Sequence, residues 1–311
     1  MAQSNHLWGI DLGGTKIEGV VLDISHEHKI VWRGRIATEA AGGYERILQR
    51  IQGLVRDMET HSGQSRPGII GIGTPGVTNP DTGKLKNSNT QCLNGRPLRE
   101  DLRQLLQTQV VMVNDANCFA LAEAKLGAAR DYGCVFGIIM GTGVGGGIVI
   151  DGEMHNGRHG IAGEWGHNVI EPDGSPCYCG KRGCVETVLS GPALEHYYES
   201  QSGVKRKLPE IVELSKSNDK HAMTTMERLR HFFGKALAQI INVLDPDAVV
   251  LGGGVGNIGI LYEGATRSQI RGYLFNDALE TPILKPQLGD SAGVLGAALI
   301  AASEKNSDGR D

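Results

Sequence analysis

The 311-residue sequence predicts an α/β fold built from two related halves, and three observations carry that prediction. Short Val/Ile/Leu-rich runs bounded by Gly, Pro or Asp read as buried strands. Amphipathic helical patterns alternate with them. The stretches HLWGIDLGGTKIEGVVLD, from His6, and CVFGIIMGTGVGGGIVIDG, from Cys134, share one plan: an apolar strand, a glycine-rich tight turn and a second apolar strand. That echo suggests two halves that each open with a hairpin.

In chain order, strands are expected at 7–12, 18–23, 69–74, 110–114, 135–140 and 248–251. Between the second and third, Ile47, Leu48, Ile51, Leu54, Val55 and Met58 recur at three- and four-residue steps after Tyr44, giving a helix with one dry face. Ala116 to Ala129 is alanine-rich and helical by propensity. The polar stretch 199–221 reads as a solvated helix with loops. A longer helix carries Met226, Leu229, Phe233, Leu237, Ile240 and Ile241 and stops at the DPD of 245–247. Asp290 or Ser291 is suited to cap a last helix through Ala302, and 304–311 reads as a disordered tail.

Composition narrows the function. Net charge is −4 with no dense Lys/Arg cluster, so neither nucleic acid nor an anionic membrane surface is an expected partner. No run reaches the length of a membrane span, and the N-terminus lacks an export-signal pattern, so a cytoplasmic location is expected. There the six cysteines are thiols or metal ligands rather than disulfides. The 45 glycines cluster beside apolar strands, which asks for more than ordinary turns.

A turn of small residues points several N–H groups outward, a nest suited to phosphate oxygens. DLGGTK supplies Asp11 for a hydrated magnesium ion, Gly13 and Gly14 for close approach, and Thr15 and Lys16 as donors. Gly141, Thr142 and Gly143 begin a second nest, so two nests suit a polyphosphate held from both sides. Gly141, Gly143 and Gly146 also satisfy G-x-G-x-x-G, but a strand follows where a dinucleotide fold needs a helix. A P-loop is absent. LGGGVGN does lie between a strand and an expected helix, so Gly253 and Gly254 are placed near a nucleotide's ribose or α-phosphate.

Cys177, Cys179 and Cys184 stand in C-x-C-x4-C, with His167 ten residues before the first. Three thiolates and an imidazole make a closed tetrahedral shell, hence a structural zinc ion. The loop is too poor in apolar residues to order itself, so metal binding would supply folding energy. Cys92, Cys118 and Cys134 have no ligand spacing.

DLGGTK, GTPG (73–76), NDAN (114–117), GTGVGGG, EWGH (164–167), CYCGKRGCVE (177–186) and LGGG follow one another as in the ROK family of sugar kinases, which the sequence resembles from about Gly9 to Ala302. The resemblance implies an actin-like ATPase (ribonuclease H-like) fold of two lobes with a ligand cleft between them. It also implies ATP- and magnesium-dependent phosphorylation of a hexose. The lobes are expected at 1–118, joined by a C-terminal helix at 290–303, and at 119–289, with a zinc-binding loop at 164–186. Asp115, ending a strand and beginning a helix, matches the family's catalytic base, although Asp also commonly caps helices. Gly76, Asn89, Asn114, Glu164, His167 and Glu186 match its sugar-contacting positions, which gives His167 both a metal and a sugar duty.

The segments 86–98 and 162–168 look most like fructokinases and mannokinases, so phosphorylation of fructose, mannose or hexoses broadly at the 6-hydroxyl is the first reading. NDANCFALAEA and GTGVGGG also look like N-acetylglucosamine kinases, leaving that sugar, N-acetylmannosamine or glucose as alternatives. A sugar-responsive ROK repressor is the reading from another class. Such repressors carry a winged-helix domain ahead of the core, whereas the first strand here is expected near residue 7. A homodimer is implied by the resemblance alone.

Overall fold

The computed structural model describes residues 5–25 and 28–307. The chain forms two compact units. One holds the described residues up to Ala122, then Glu153–Ala162 and the described residues from Leu288 onward; the other holds Glu123–Gly152 and Gly163–Gln287.

In the first unit, β1 (His6–Leu12) and β2 (Lys16–Asp23) form an antiparallel hairpin that β3 (Lys29–Ala37) extends. Helix α1 (Gly43–Ser62) follows, burying the predicted stripe from Tyr44 to Met58. Next come β4 (Ile69–Thr74), the short pair β5 (Val77–Thr78) and β6 (Leu85–Lys86), helix α2 (Leu98–Leu106) and β7 (Gln109–Asn114). The five long strands lie in the order β3-β2-β1-β4-β7, antiparallel on the hairpin side and parallel from β1 through β7. Helix α3 (Asp115–Leu126) begins directly at the end of β7.

The second unit repeats the plan. Strands β8 (Cys134–Met140) and β9 (Val144–Ile150) form an antiparallel hairpin. The chain passes through β10 (Glu153–Met154) and then α4 (Glu186–Leu189), α5 (Gly191–Ser202), α6 (Leu208–Lys216) and α7 (Lys220–Leu244). Strand β11 (Ala248–Gly252) pairs parallel with β8, and after α8 (Gly253–Gly256) and α9 (Gly264–Arg271), β12 (Ile283–Leu284) pairs parallel with β11. Phe136, Trp165, Leu229, Phe233 and Leu237 fill the core of this unit.

Helix α10 (Ala292–Ser307) returns to the first unit. It explains part of the glycine excess: a Cβ at Gly71 would lie 1.8 Å from the Ala297 carbonyl oxygen, and one at Gly9 would lie 2.4 Å from the Ala298 nitrogen. Only strands without side chains at these points let the helix backbone pack this closely. The helix corrects one expectation. It continues past Ala302 to Ser307, so 304–307 is helical rather than a disordered tail, and the remainder of that tail, 308–311, lies outside the described residues. A run that is alanine-rich on its buried face has the propensity to continue, whatever the polarity of its last turn. Among the described residues no helix is long and apolar enough to cross a membrane.

Candidate active site

The first unit gathers carboxylates at the ends of its parallel strands. Asp11 on β1 pairs across the sheet with Glu18 on β2, which pairs with Arg35 on β3. Glu18 is buried, and its carboxylate accepts hydrogen bonds from both Arg33 and Arg35. Burial pushes the Asp11 carboxyl up to about 7, with the charges of Asp115 and Glu18 adding to the rise and those of Lys16 and Arg35 opposing it. Asp11 is fenced by glycines: a Cβ at Gly293 of α10 would sit 2.8 Å from its Oδ2, and one at Gly73 of β4 would sit 3.5 Å from its Oδ1.

The turn between β1 and β2 is closed by the Gly13 amide, which donates to the Lys16 carbonyl at 2.9 Å. Thr38 steadies it from outside, its hydroxyl donating to the Gly13 carbonyl at 2.7 Å and its amide to that of Thr15 at 3.0 Å. A Cβ at Gly14 would come within 3.3 Å of Thr90 Oγ1, so the turn borders the loop that carries exposed Asn89. Gly76 has φ +99, and a Cβ there would strike the Lys86 carbonyl at 2.6 Å, so this position admits only glycine without rearrangement. Asn114 ends β7 and Asp115 starts α3; both side chains accept from the Ala116 amide at 2.8 Å. Asp115 therefore does take part in capping. It is also exposed and close enough to raise the Asp11 carboxyl, which a pure cap would not require.

The second unit brings together another set. The turn after β8 is closed by the Gly141 amide donating to the Gly143 carbonyl at 2.9 Å, with Thr142 at its tip. Glu186, first residue of α4, lies along this turn: its Oε2 accepts from the Val144 amide at 3.0 Å, and a Cβ at Gly143 would be 2.6 Å from it. Gly253, at φ +80, packs on the end of β8, where a Cβ would lie 2.3 Å from the Met140 carbonyl oxygen. Gly254 follows at the start of α8 facing open space. The two glycine segments of this unit thus converge on the same strand end.

His167, Cys177, Cys179 and Cys184 converge as the spacing predicts, with one ligand atom from each lying within 4.8 Å of the others. His167 Nδ1 is 3.6 Å from Cys177 Sγ, and Cys179 Sγ is 3.6 Å from Cys184 Sγ. Zinc–sulfur and zinc–nitrogen bonds of about 2.3 and 2.0 Å give tetrahedron edges of about 3.5–3.8 Å, so the donor set fits a structural zinc ion. The loop is folded back on itself by bridges between Val169 and Cys184 and between Pro176 and Arg182. Burial pushes the Cys184 thiol up to about 12, with its sulfur neighbours adding to the rise, so a metal that displaces the proton changes this cluster greatly. His167 Nε2 faces away from the sulfurs, 3.0 Å from Tyr178 Oη and 3.9 Å from Glu164 Oε2. Burial raises the Tyr178 hydroxyl, and the charges of Glu186 and Glu164 raise it further.

Two participants escaped the sequence reading. The amide of Gly191, at the N-terminus of α5, donates to the Gly141 carbonyl at 2.8 Å, fixing the tip of the second nest to a helix start. The signal was present in Ser190-Gly191-Pro192, where Ser190 caps the helix by accepting from the Ala193 amide at 3.3 Å. Tyr178, between two metal-binding cysteines, is the other.

These are the parts of a phosphotransferase of the actin-like ATPase fold: tight glycine turns, buried and exposed carboxylates at strand ends, and a loop whose His/Cys cluster suits a zinc ion. The chain belongs to the ROK family, which it matches over residues 7–304, and is one of its sugar kinases. Among curated relatives, the N-acetyl-D-glucosamine kinase of Yersinia pseudotuberculosis serotype O:3 is 35% identical over 308 residues, covering 96% of this chain and 99% of that protein. The N-acetyl-D-glucosamine kinase of Vibrio atlanticus is 37% identical over 303 residues, covering 94% and 98%. Among solved structures, the ROK hexokinase of Thermus thermophilus is 33% identical with a TM-score of 0.87, covering 97% of this chain and 99% of that one. A ROK family glucokinase from Streptomyces griseus, in complex with glucose and AMPPNP, is 31% identical with a TM-score of 0.77, covering 96% and 99%.

Proposed function

We propose that this ATP-dependent ROK sugar kinase transfers the γ-phosphoryl group of ATP to the 6-hydroxyl of N-acetyl-D-glucosamine. The observation that carries the choice of sugar is the 35–37% identity, over nearly the whole chain, to curated kinases of that sugar. It favours the amino sugar over the fructose or mannose suggested by the segments 86–98 and 162–168. A broader hexokinase is the second reading, supported by the TM-score of 0.87 to a ROK hexokinase.

Phosphoryl transfer asks for alignment, charge neutralisation and a destination for the hydroxyl proton. Asp115 is the base: exposed at a strand end, its carboxylate takes the proton as the hydroxyl oxygen attacks phosphorus and ADP departs. The amides of the 13–16 turn in the first unit suit phosphate oxygens, and in the second unit those of the 141–143 turn do the same while Gly253 and Gly254 admit the nucleoside. Asp11 would hold magnesium through water, and the ion would offset phosphate charge. Glu164, His167 and Glu186 in the second unit are the groups suited to receive sugar hydroxyls, and Gly76, Asn89 and Asn114 are the candidates of the first unit. Carboxylates suit this because each oxygen accepts a hydrogen bond from a hydroxyl, and a sugar lacking the hydroxyl leaves the group unpaired. The zinc ion would order the loop from which His167 projects.

The test is a coupled ADP-release assay with N-acetylglucosamine, N-acetylmannosamine, glucose, mannose and fructose at equal concentrations. N-acetylglucosamine is expected to give the highest kcat/KM. A higher value for fructose or mannose would refute the sugar assignment, and no ADP release with any sugar would refute the kinase reading.

A further inference from the structure

In the second unit the hydroxyl of Tyr178 occupies a place that the proposed reaction needs. A zinc ion on His167 Nδ1 leaves the ring's proton on Nε2, so Nε2–H is a donor. Its acceptor here is Tyr178 Oη, at 3.0 Å, with the two rings edge to face at 87° and their centroids 5.2 Å apart. Glu164 Oε2 lies 3.9 Å from the same nitrogen, and both Glu164 and Glu186 act electrostatically on the same phenolic hydroxyl. The hydroxyl thus sits on the ring nitrogen of a side chain that receives a sugar hydroxyl in the proposed function.

One N–H bond aims at one acceptor well, because hydrogen bonds weaken steeply away from linearity. A sugar hydroxyl on Nε2 and the Tyr178 hydroxyl on Nε2 therefore compete. Two features make Tyr178 the one to leave. Its side chain is 68% exposed, so little packing holds it. It also borders a cleft of about 460 Å³ walled by Pro176, Glu186, Ala193, His196 and Tyr197, which offers the ring a place to go. The Cα of Tyr178 is held between two metal-ligand cysteines, so the change is confined to its side-chain torsions.

We propose that Tyr178 is a specificity-determining residue: its hydroxyl caps His167 Nε2–H in the sugar-free chain and is displaced by a substrate hydroxyl, the ring turning toward the neighbouring cleft. This rests on the proposed function, in which His167 and Glu186 receive the sugar. Every accepted sugar must supply a hydroxyl good enough to replace the one it evicts, so the residue penalises sugars that lack or misplace it.

The test is Tyr178→Phe, which removes the hydroxyl oxygen and keeps the ring. Zinc content by elemental analysis and the unfolding midpoint are expected to stay at wild-type values. KM and the calorimetric Kd for the sugar that the wild type phosphorylates are expected to fall about threefold to tenfold, the range that one net hydrogen bond represents, with kcat unchanged. Unchanged KM and Kd overturn the proposal, because nothing was competing. A raised Kd also overturns it, since the hydroxyl would then be binding the sugar itself. If the wild type binds no hexose, the functional reading fails first, an outcome separate from a wild type that binds and a variant that binds no better.

Discussion

Substituting Gly293 by alanine would test the role of Asp11 without touching a polar group. The added Cβ would lie 2.8 Å from Asp11 Oδ2 and 3.2 Å from its Cγ. Ordinary contact needs about 3.5 Å, so the carboxylate must retreat by roughly half an ångström. Stability should change little: alanine in a helix gains about 0.5–1 kcal/mol over glycine, while overpacking costs about 1–3 kcal/mol. The low end of that cost applies, because the obstacle is the end of a side chain rather than backbone. Catalysis should suffer more. A misplacement of about 1 Å at reacting groups can cost a hundredfold, so half of it predicts a loss of about tenfold in kcat/KM. Steady-state kinetics across magnesium concentrations, beside chemical denaturation and sugar calorimetry, would separate the effects. The expected pattern is tenfold lower kcat/KM, a raised magnesium requirement, and stability and sugar Kd near wild type. A folded Gly293→Ala enzyme with wild-type kinetics would refute the reasoning that Asp11 must stand where it does.

Other perturbations follow from the same geometry. With its carboxyl raised to about 7, Asp11 keeps a proton in the folded chain that it loses near 3.8 when unfolded, so its contribution is complete below about pH 4 and is lost as pH rises through 7. Asp11→Asn should therefore match wild type in urea denaturation near pH 4 and exceed it above pH 8, by on the order of 2–4 kcal/mol; parallel stability curves would contradict this. Gly143→Ala would drive a Cβ to 2.6 Å from Glu186 Oε2 and break its bond to the Val144 amide, raising KM for the sugar about tenfold with a smaller change in KM for ATP; equal effects on both would argue against Glu186 as a sugar contact. Elemental analysis should find one zinc ion per chain, and chelation should open the 164–186 loop to protease and abolish sugar binding; a chelated, zinc-free chain that stays folded and active would count against the structural metal.

Much of this was legible in the sequence because the signals were local. The C-x-C-x4-C spacing, with His167 ten residues before it, located four residues that do converge, and the twin hairpins appear as β1–β2 and β8–β9. The apolar periodicity of α1 and α7 likewise matched buried faces. What escaped depends on distant partners. Strand β3, KIVWRGRIA, is mostly exposed at a sheet edge, and its arginines make sense only against Glu18 on the neighbouring strand. The glycines at 9 and 71 fall inside expected strands with no local reason to lack a side chain, yet they serve a helix more than 200 residues away in the chain. Tyr178 between two cysteines carries no pattern; only the fold reveals that its hydroxyl meets His167 Nε2.

Asp115 is the group proposed to remove the proton from the sugar hydroxyl. The most direct measurement is single-turnover phosphorylation by Asp115→Asn, paired with calorimetric sugar binding by the same variant. The amide keeps the shape of the side chain and cannot accept the proton, so the rate should fall by about 10²–10⁴ while the sugar Kd stays within about threefold. Phosphorylation near the wild-type rate would contradict it.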